Sequence, residues 1–147
     1  NASNTIERIF QTQNIVPVIN ENDTVAVEEL RFGDNDRLSA EVAQLVNANL
    51  LLLVTSSDGL IDSQGQRITK ARGVSEVWQY VRPDKGEMSV GGMRTKLQAV
   101  DFALSHGITT FIIDGRKAGQ IPAALNGEEV GTEFLPASRR EKEQVRT

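Results

Sequence analysis

Leu50-Leu51-Leu52-Leu53-Val54-Thr55 carries five aliphatic residues in a row before its first polar side chain. A half-exposed strand would alternate apolar and polar residues, whereas an unbroken apolar run of this length suits a strand covered on both faces. Just upstream, Leu38, Val42, Leu45 and Val46 recur at helical spacing and mark one apolar helix face. Just downstream, Thr55-Ser56-Ser57-Asp58-Gly59 is turn chemistry. A helix that feeds a doubly buried strand ending in a polar loop predicts an α/β fold, a three-layer α/β/α sandwich with a mainly parallel sheet. In open sheets of this kind, ligands bind beyond the carboxyl ends of the strands.

The same alternation extends in both directions. Ile6, Ile9 and Phe10 predict a short helix over Asn4 to Gln13, and Ile15 to Ile19 predict a strand, with Pro17 at an edge or start. Asp62 to Gly65 reads as the tip of a small hairpin, and Ser75 to Val81 as a short helix ended by Pro83. A loop over Asp84 to Gly92 is expected to open into a helix from Met93 to His106, with Leu97, Val100 and Leu104 on one face and Gly107 as its cap. Thr109 to Ile113 is a second buried strand, followed by the loop Asp114-Gly115-Arg116-Lys117. A helical piece over Ile121 to Leu125 and a strand over Thr132 to Leu135 complete a domain spanning 1–136, with a charged tail at 137–147. The polar loops that begin at Asn20, Thr55 and Asp114 should converge at one end of the sheet.

Composition narrows the function. The 147 residues suffice for one domain with a single core. A net charge of -4 and a pI near 5.1 oppose a general affinity for nucleic acid. Without cysteine there is no disulfide, thiolate metal site or cysteine nucleophile. No apolar run reaches membrane-spanning length, and the N-terminus lacks the pattern of a signal peptide. The expectation is a soluble, cytoplasmic domain with no nucleic-acid or membrane partner.

Two stretches carry chemistry. Asn20 to Asp36 holds six carboxylates, together with the amides of Asn20, Asn22 and Asn35. Asp34-Asn35-Asp36 resembles the start of a calcium loop, but Leu38 occupies the next ligand position, so no metal site is assigned. Carboxylates and amides that can bind an amino acid's ammonium and carboxylate groups fit better, beside the plainer alternative of an acidic surface. In Ser89-Val90-Gly91-Gly92-Met93-Arg94-Thr95-Lys96, glycines precede a helix whose first turn would carry two cations. Cations conflict with the helix macrodipole there unless an anion, phosphate above all, sits against the free N–H groups. The alternative is a solvated loop with surface cations. His106 is read as a helix-end residue, and Trp78 and Tyr80 as packing residues.

Asn20-Glu21-Asn22-Asp23, Gly33-Asp34-Asn35-Asp36-Arg37-Leu38-Ser39-Ala40, Leu52-Leu53-Val54-Thr55, Gly91-Gly92-Met93-Arg94-Thr95-Lys96 and Val130-Gly131-Thr132, in this order, resemble the glutamate 5-kinases of the amino acid kinase family. The resemblance implies ATP-dependent phosphorylation of the L-glutamate γ-carboxylate in proline biosynthesis, with magnesium carried on the ATP and assembly as a homo-oligomer. It implies glutamate contacts from Asp23, Asn35 and Asn20. Asp36 would hold catalytic lysines in place and Lys96 would neutralise the transferring phosphoryl group. Thr55, Ser56 and the run Val90, Gly91, Gly92, Met93, Arg94, Thr95 and Lys96 would lie at the ATP site. The chain departs from the family pattern at Ser56, where aspartate is usual, and at Val90, where threonine is common. It is also expected to lack the family's N-terminal glycine-rich segment with a further lysine, which would leave this piece feeble or inactive alone. The alternative is a non-catalytic ATP- or amino-acid-binding module of the same fold.

Overall fold

The computed structural model describes residues 2–20, 34–81 and 87–137, with side chains from 4–20, 35–81 and 92–137. The elements in chain order are α1 (Ala2–Gln11), α2 (Asp34–Leu45), β1 (Leu50–Thr55), β2 (Leu60–Ile61), β3 (Arg67–Ile68), β4 (Lys70–Ala71), two 3-10 turns (Val74–Glu76 and Trp78–Tyr80), α3 (Glu87–Ser105), β5 (Thr109–Asp114), α4 (Gln120–Leu125) and β6 (Thr132–Phe134).

β1, β5, β6 and β4 form one sheet in that order. β1 and β5 are parallel, with Leu50 opposite Thr109 and Thr55 opposite Asp114. β5 and β6 run antiparallel, and β6 and β4 parallel, so the sheet is mainly parallel. Every residue of β5 is buried because strands flank it on both sides and helices cover both faces. Ile112 joins Leu51, Leu53 and the α2 and α3 residues Ala40, Ala43, Leu97, Val100 and Ala103 in the main core. On the opposite face Phe111 and Ile113 pack with Ala124 of α4, and Leu50 and Leu52 lie against that cluster. The apolar run of β1 thus divides between two cores, but unequally: Leu51 and Leu53 are buried, Leu50 and Leu52 half-buried and Val54 exposed, so one face is covered less fully than the unbroken run predicts. Leu97 and Val100 are fully buried, each contributing roughly 1.5–3 kcal/mol through removal from water.

One side chain of the sheet bonds to both strands of the small hairpin. β2 and β3 pair antiparallel, and Asp62 at the tip accepts the N–H groups of Gln64 and Gln66 at 2.8 and 2.9 Å. At the base, the buried Thr132 hydroxyl accepts the Leu60 N–H at 2.8 Å and donates to the Ile68 carbonyl at 2.6 Å. Two glycines allow the approach. A Cβ on Gly59 would meet Thr132 Oγ1 at 2.5 Å, and one on Gly131 would come within 2.0 Å of the Ile112 carbonyl oxygen. Gly131 also has φ +53, which L side chains rarely adopt.

Three expectations need correction. Ile15 to Ile19 form no strand, although the segment is apolar. Strands need a neighbour for their N–H and C=O groups, Pro17 has no N–H to offer, and none of the described residues pairs with the segment; Val16 and Val18 are 84% and 92% exposed. α3 starts at Glu87 rather than Met93, so Gly91 and Gly92 lie inside a helix and not in a loop that opens one. Residues 75–81 make two 3-10 turns instead of an α-helix, and β4, only two residues long, was not expected. The helix–strand joint at Gly107 follows the sequence: its N–H donates to the Leu104 carbonyl at 3.0 Å, and the Ile108 N–H to Ala103 at 3.0 Å. The tail beyond residue 137 and Pro83 lie outside the described residues.

Candidate functional site

The parallel register of β1 and β5 puts Thr55 and Asp114 side by side at their carboxyl ends, and the Gly115 N–H donates to the Thr55 carbonyl at 2.9 Å. The loops that follow meet in an ion cluster. Asp58 Oδ2 accepts Lys117 Nζ at 2.7 Å and Arg67 Nη1 at 3.2 Å, joining the β1 loop, the hairpin and the β5 loop. The Lys117 hydrogen bond, with the charges of Lys117 and Arg67, holds the Asp58 carboxyl below the usual range against the opposing effect of burial. Asp114 is gripped by its neighbour: Arg116 Nε and Nη2 donate to its two oxygens at 3.0 and 2.9 Å, and the Arg116 backbone N–H adds a bond at 2.9 Å. Those Arg116 bonds bring the Asp114 carboxyl down to about 2.

The helices α2 and α3 carry a second charged group. Asp36 lies in the first turn of α2, where the macrodipole favours an acid. Lys96 Nζ donates to both oxygens of Asp36, at 3.1 and 3.0 Å, and both side chains are less than one-fifth exposed. Thr95 Oγ1 donates to Asp36 Oδ2 at 3.2 Å. Two residues sixty positions apart are therefore brought into one bidentate pair across the helix–helix contact.

Residues near each member of that pair in sequence border a cavity. One turn before Lys96, Met93 borders a cavity of about 410 Å³ whose walls include Ser57, Leu60, Gln79, Tyr80 and Val81. Immediately before Asp36, Asn35 borders a second cavity of about 390 Å³, lined also by Asn20, Ser39, Leu38 and Val42. Both volumes lie in the range of small-molecule sites, apolar walls with a few polar groups.

The structure thus brings Asn20 together with Asn35, and Asp36 with Lys96. Asp23 lies outside the described residues, and for Val90 and Gly91 only the helical backbone is described. Thr55 is partly buried and Ser56 exposed; of that loop it is Ser57 that borders the larger cavity, its hydroxyl donating to the Gly59 carbonyl at 2.6 Å. Gly92 and Met93 are on α3, and Arg94 lies over the Trp78 ring, 5.5 Å from its centroid. Because α3 begins at Glu87, Arg94 and Lys96 sit beyond its first turn, so the free N–H groups of a helix start are not beside them. Asp58, Arg67 and Lys117 were not anticipated as a group: their separation in sequence gives no local spacing to read. Among the described residues, no three His, Cys, Asp or Glu side chains come together to hold a metal ion. No helix among them is long and apolar enough to cross a membrane.

The model of the amino acid kinase family matches residues 1–114. The chain is 43% identical over 144 residues to a glutamate 5-kinase of Synechococcus sp. (strain JA-3-3Ab), covering 93% of this chain and 38% of that protein. It is 44% identical over 144 residues to a glutamate 5-kinase of Syntrophotalea carbinolica, covering 92% and 38%. Against a glutamate 5-kinase of Moorella thermoacetica it is 47% identical over 133 residues, covering 86% of this chain and 35% of that one. The chain therefore spans about two-fifths of the length of these relatives. In structure it is similar to N-acetylglutamate synthase from Neisseria gonorrhoeae, with a TM-score of 0.56 and 22% identity over 68% of this chain and 23% of that one, which speaks to the fold alone. With the family model matched over more than three-quarters of its length and the mainly parallel sheet in place, the chain belongs to the amino acid kinase family.

Proposed function

We propose that this chain is the nucleotide-binding part of a kinase that transfers the γ-phosphoryl group of ATP to the γ-carboxylate of L-glutamate, giving γ-glutamyl phosphate for proline biosynthesis. The observation that carries the proposal is the Asp36–Lys96 pair on two helices that each border a cavity, α3 through Met93 in one that Ser57 also lines and α2 through Asn35 in one that Asn20 also lines. The larger cavity fits a nucleotide, with apolar side chains for a base beside the hydroxyl of Ser57 and the amide of Gln79. The smaller one offers two asparagine amides, able to donate to a carboxylate and accept from an ammonium. In this reading Lys96 supplies positive charge to the transferring phosphoryl group, and Asp36 fixes its ammonium by two hydrogen bonds. Catalysis of this kind is positioning and charge stabilisation, with little covalent work for the protein. Magnesium would arrive on the triphosphate, shielding its charge. Glutamate contacts from Asp23, a cytoplasmic setting and homo-oligomeric assembly belong to the same proposal and rest on the likeness to glutamate 5-kinases.

Calorimetry of the chain with ATP tests the reading. ATP binding is expected, and Lys96→Ala should weaken it by roughly ten-fold or more, the loss of a charge-assisted contact. Absence of ATP binding, or indifference to Lys96→Ala, would refute it. Glutamate-dependent ADP release by a protein that carries this chain within the full kinase length then separates a working kinase from a non-catalytic binding module.

A further inference from the structure

We propose that Arg94 and Trp78 form a clasp that sets the width of the larger cavity, which makes Arg94 a positioning residue for the ligand there and not a phosphate-binding cation. The inference rests on the nucleotide reading of that cavity and adds how its walls are held. The Arg94 guanidinium carbon is 5.5 Å from the Trp78 ring centroid, within the range at which a cation is attracted to a π face. Their chain neighbours form the cavity: Gln79, Tyr80 and Val81 follow Trp78 on one wall, and Met93 precedes Arg94 on the other. The clasp therefore ties the two walls directly to each other.

Among the described residues, the wall that carries Trp78 is held towards α3 from its inner side, where Val77 is buried in the main core and Tyr80 and Val81 pack against it. It is a single 3-10 turn, with hydrogen bonds from Tyr80 N to Val77 O at 2.9 Å and Val81 N to Trp78 O at 3.2 Å. Both bonds are internal to the turn and do not reach its outer edge. Val77, 2% exposed, anchors the base of the turn in the core, while Trp78 is 38% exposed at the rim. Arg94 thus grips the outer edge of a segment whose inner edge is already fixed. A planar guanidinium is suited to this, because it stacks on an aromatic face and is more weakly hydrated than an ammonium. Its location argues against the anion role: α3 starts at Glu87, so Arg94 has no first-turn N–H groups beside it with which to share a phosphate.

Trp78 is the only tryptophan in the sequence, so its fluorescence reports on the clasp without a label. Acrylamide quenching and ATP titration of wild type, Arg94→Met and Arg94→Lys are the test, with tripolyphosphate as the probe for phosphate contacts alone. With Arg94→Met, Trp78 should quench more readily and ATP affinity should fall about two- to five-fold, the loss expected for one exposed cation–π contact. Arg94→Lys should fall between the two proteins, and tripolyphosphate affinity should not change. Unaltered quenching in Arg94→Met overturns the clasp, as does a loss of tripolyphosphate affinity equal to the loss for ATP. If the wild type binds no ATP, the nucleotide reading of the cavity fails, and quenching alone then decides whether the clasp exists.

Discussion

Replacing Thr132 by valine removes one oxygen atom from the middle of the fold and leaves its shape nearly intact. Thr132 is fully buried, and its hydroxyl is shared between the Leu60 N–H at 2.8 Å and the Ile68 carbonyl at 2.6 Å. In Thr132→Val the valine methyl occupies the place of the oxygen, so the Leu60 N–H is left buried without an acceptor. Such an orphaned donor costs roughly 1–3 kcal/mol, and the lost bond to Ile68 adds about 1 kcal/mol. The expected destabilisation is therefore about 2–4 kcal/mol. Thr132→Ser keeps both hydrogen bonds and loses only a methyl group, at roughly 0.5–1.5 kcal/mol. Urea unfolding followed by Trp78 emission measures both variants, with an unchanged denaturant slope expected since the surface exposed on unfolding is the same. The reasoning is refuted if Thr132→Val stays within about 0.5 kcal/mol of wild type, the range of an ordinary surface substitution, or if serine is as damaging as valine.

Gly131→Ala should lose several kcal/mol, because it adds an unfavourable positive φ (about 1–2 kcal/mol) to a Cβ within 2.0 Å of the Ile112 carbonyl; Gly65→Ala, with φ +78 but open space, should lose only about 1–2 kcal/mol, and equal losses in chemical denaturation would contradict the steric argument. A double-mutant cycle of Asp36→Asn and Lys96→Met should give a coupling of about 1–2 kcal/mol for the bidentate, four-fifths buried pair, whereas additive losses would mean the pair is no more than a screened surface contact. Since the folded Asp114 value of about 2 lies below its unfolded one of roughly 3.9, its contribution is fully present above that unfolded value and is lost as pH falls towards the folded one. Asp114→Asn should accordingly flatten the acid limb of the melting-temperature profile, and an unchanged limb would count against the Arg116 grip.

The parts of the fold that were legible in the sequence are those whose burial leaves a local pattern. Thr109–Asp114 carries its double coverage in its composition, Leu50–Thr55 does so only in part because Val54 is exposed, and Leu38, Val42, Leu97 and Val100 state their helix faces by spacing. Lys70–Ala71 could not be read, since two residues between a hairpin and a turn have no period at all. Ile15 to Ile19 misled because apolar, β-branched composition reports the tendency to pair, while the pairing itself depends on a neighbour. The pair Gly91 and Gly92 argued for a loop, yet helix propagation from Glu87 runs through them, each glycine opposing it by only about 1 kcal/mol. At the site, the meeting of Asp36 and Lys96 was implied by family likeness and then placed at 3.0–3.1 Å by the helix packing. The Asp58, Arg67 and Lys117 cluster had no comparable cue, because an ion pair between loops imposes no spacing on the chain.

The Thr132 fastening also has a temporal meaning. Its two hydrogen bonds join residues separated by 72 and 64 positions, and β1 finds its partner only at Thr109. During synthesis, at roughly 5–20 residues per second, the hairpin around Asp62 is therefore on hand for several seconds before the strand that secures it has been made. Closure of such distant contacts must be purchased in chain entropy before they return any stabilisation, which places this sheet among the slower-forming topologies. The edge of β1 thus waits unpaired until β5 has been made, and the self-paired hairpin lacks its Thr132 bonds for longer still, an interval in which an open strand edge can pair with another chain.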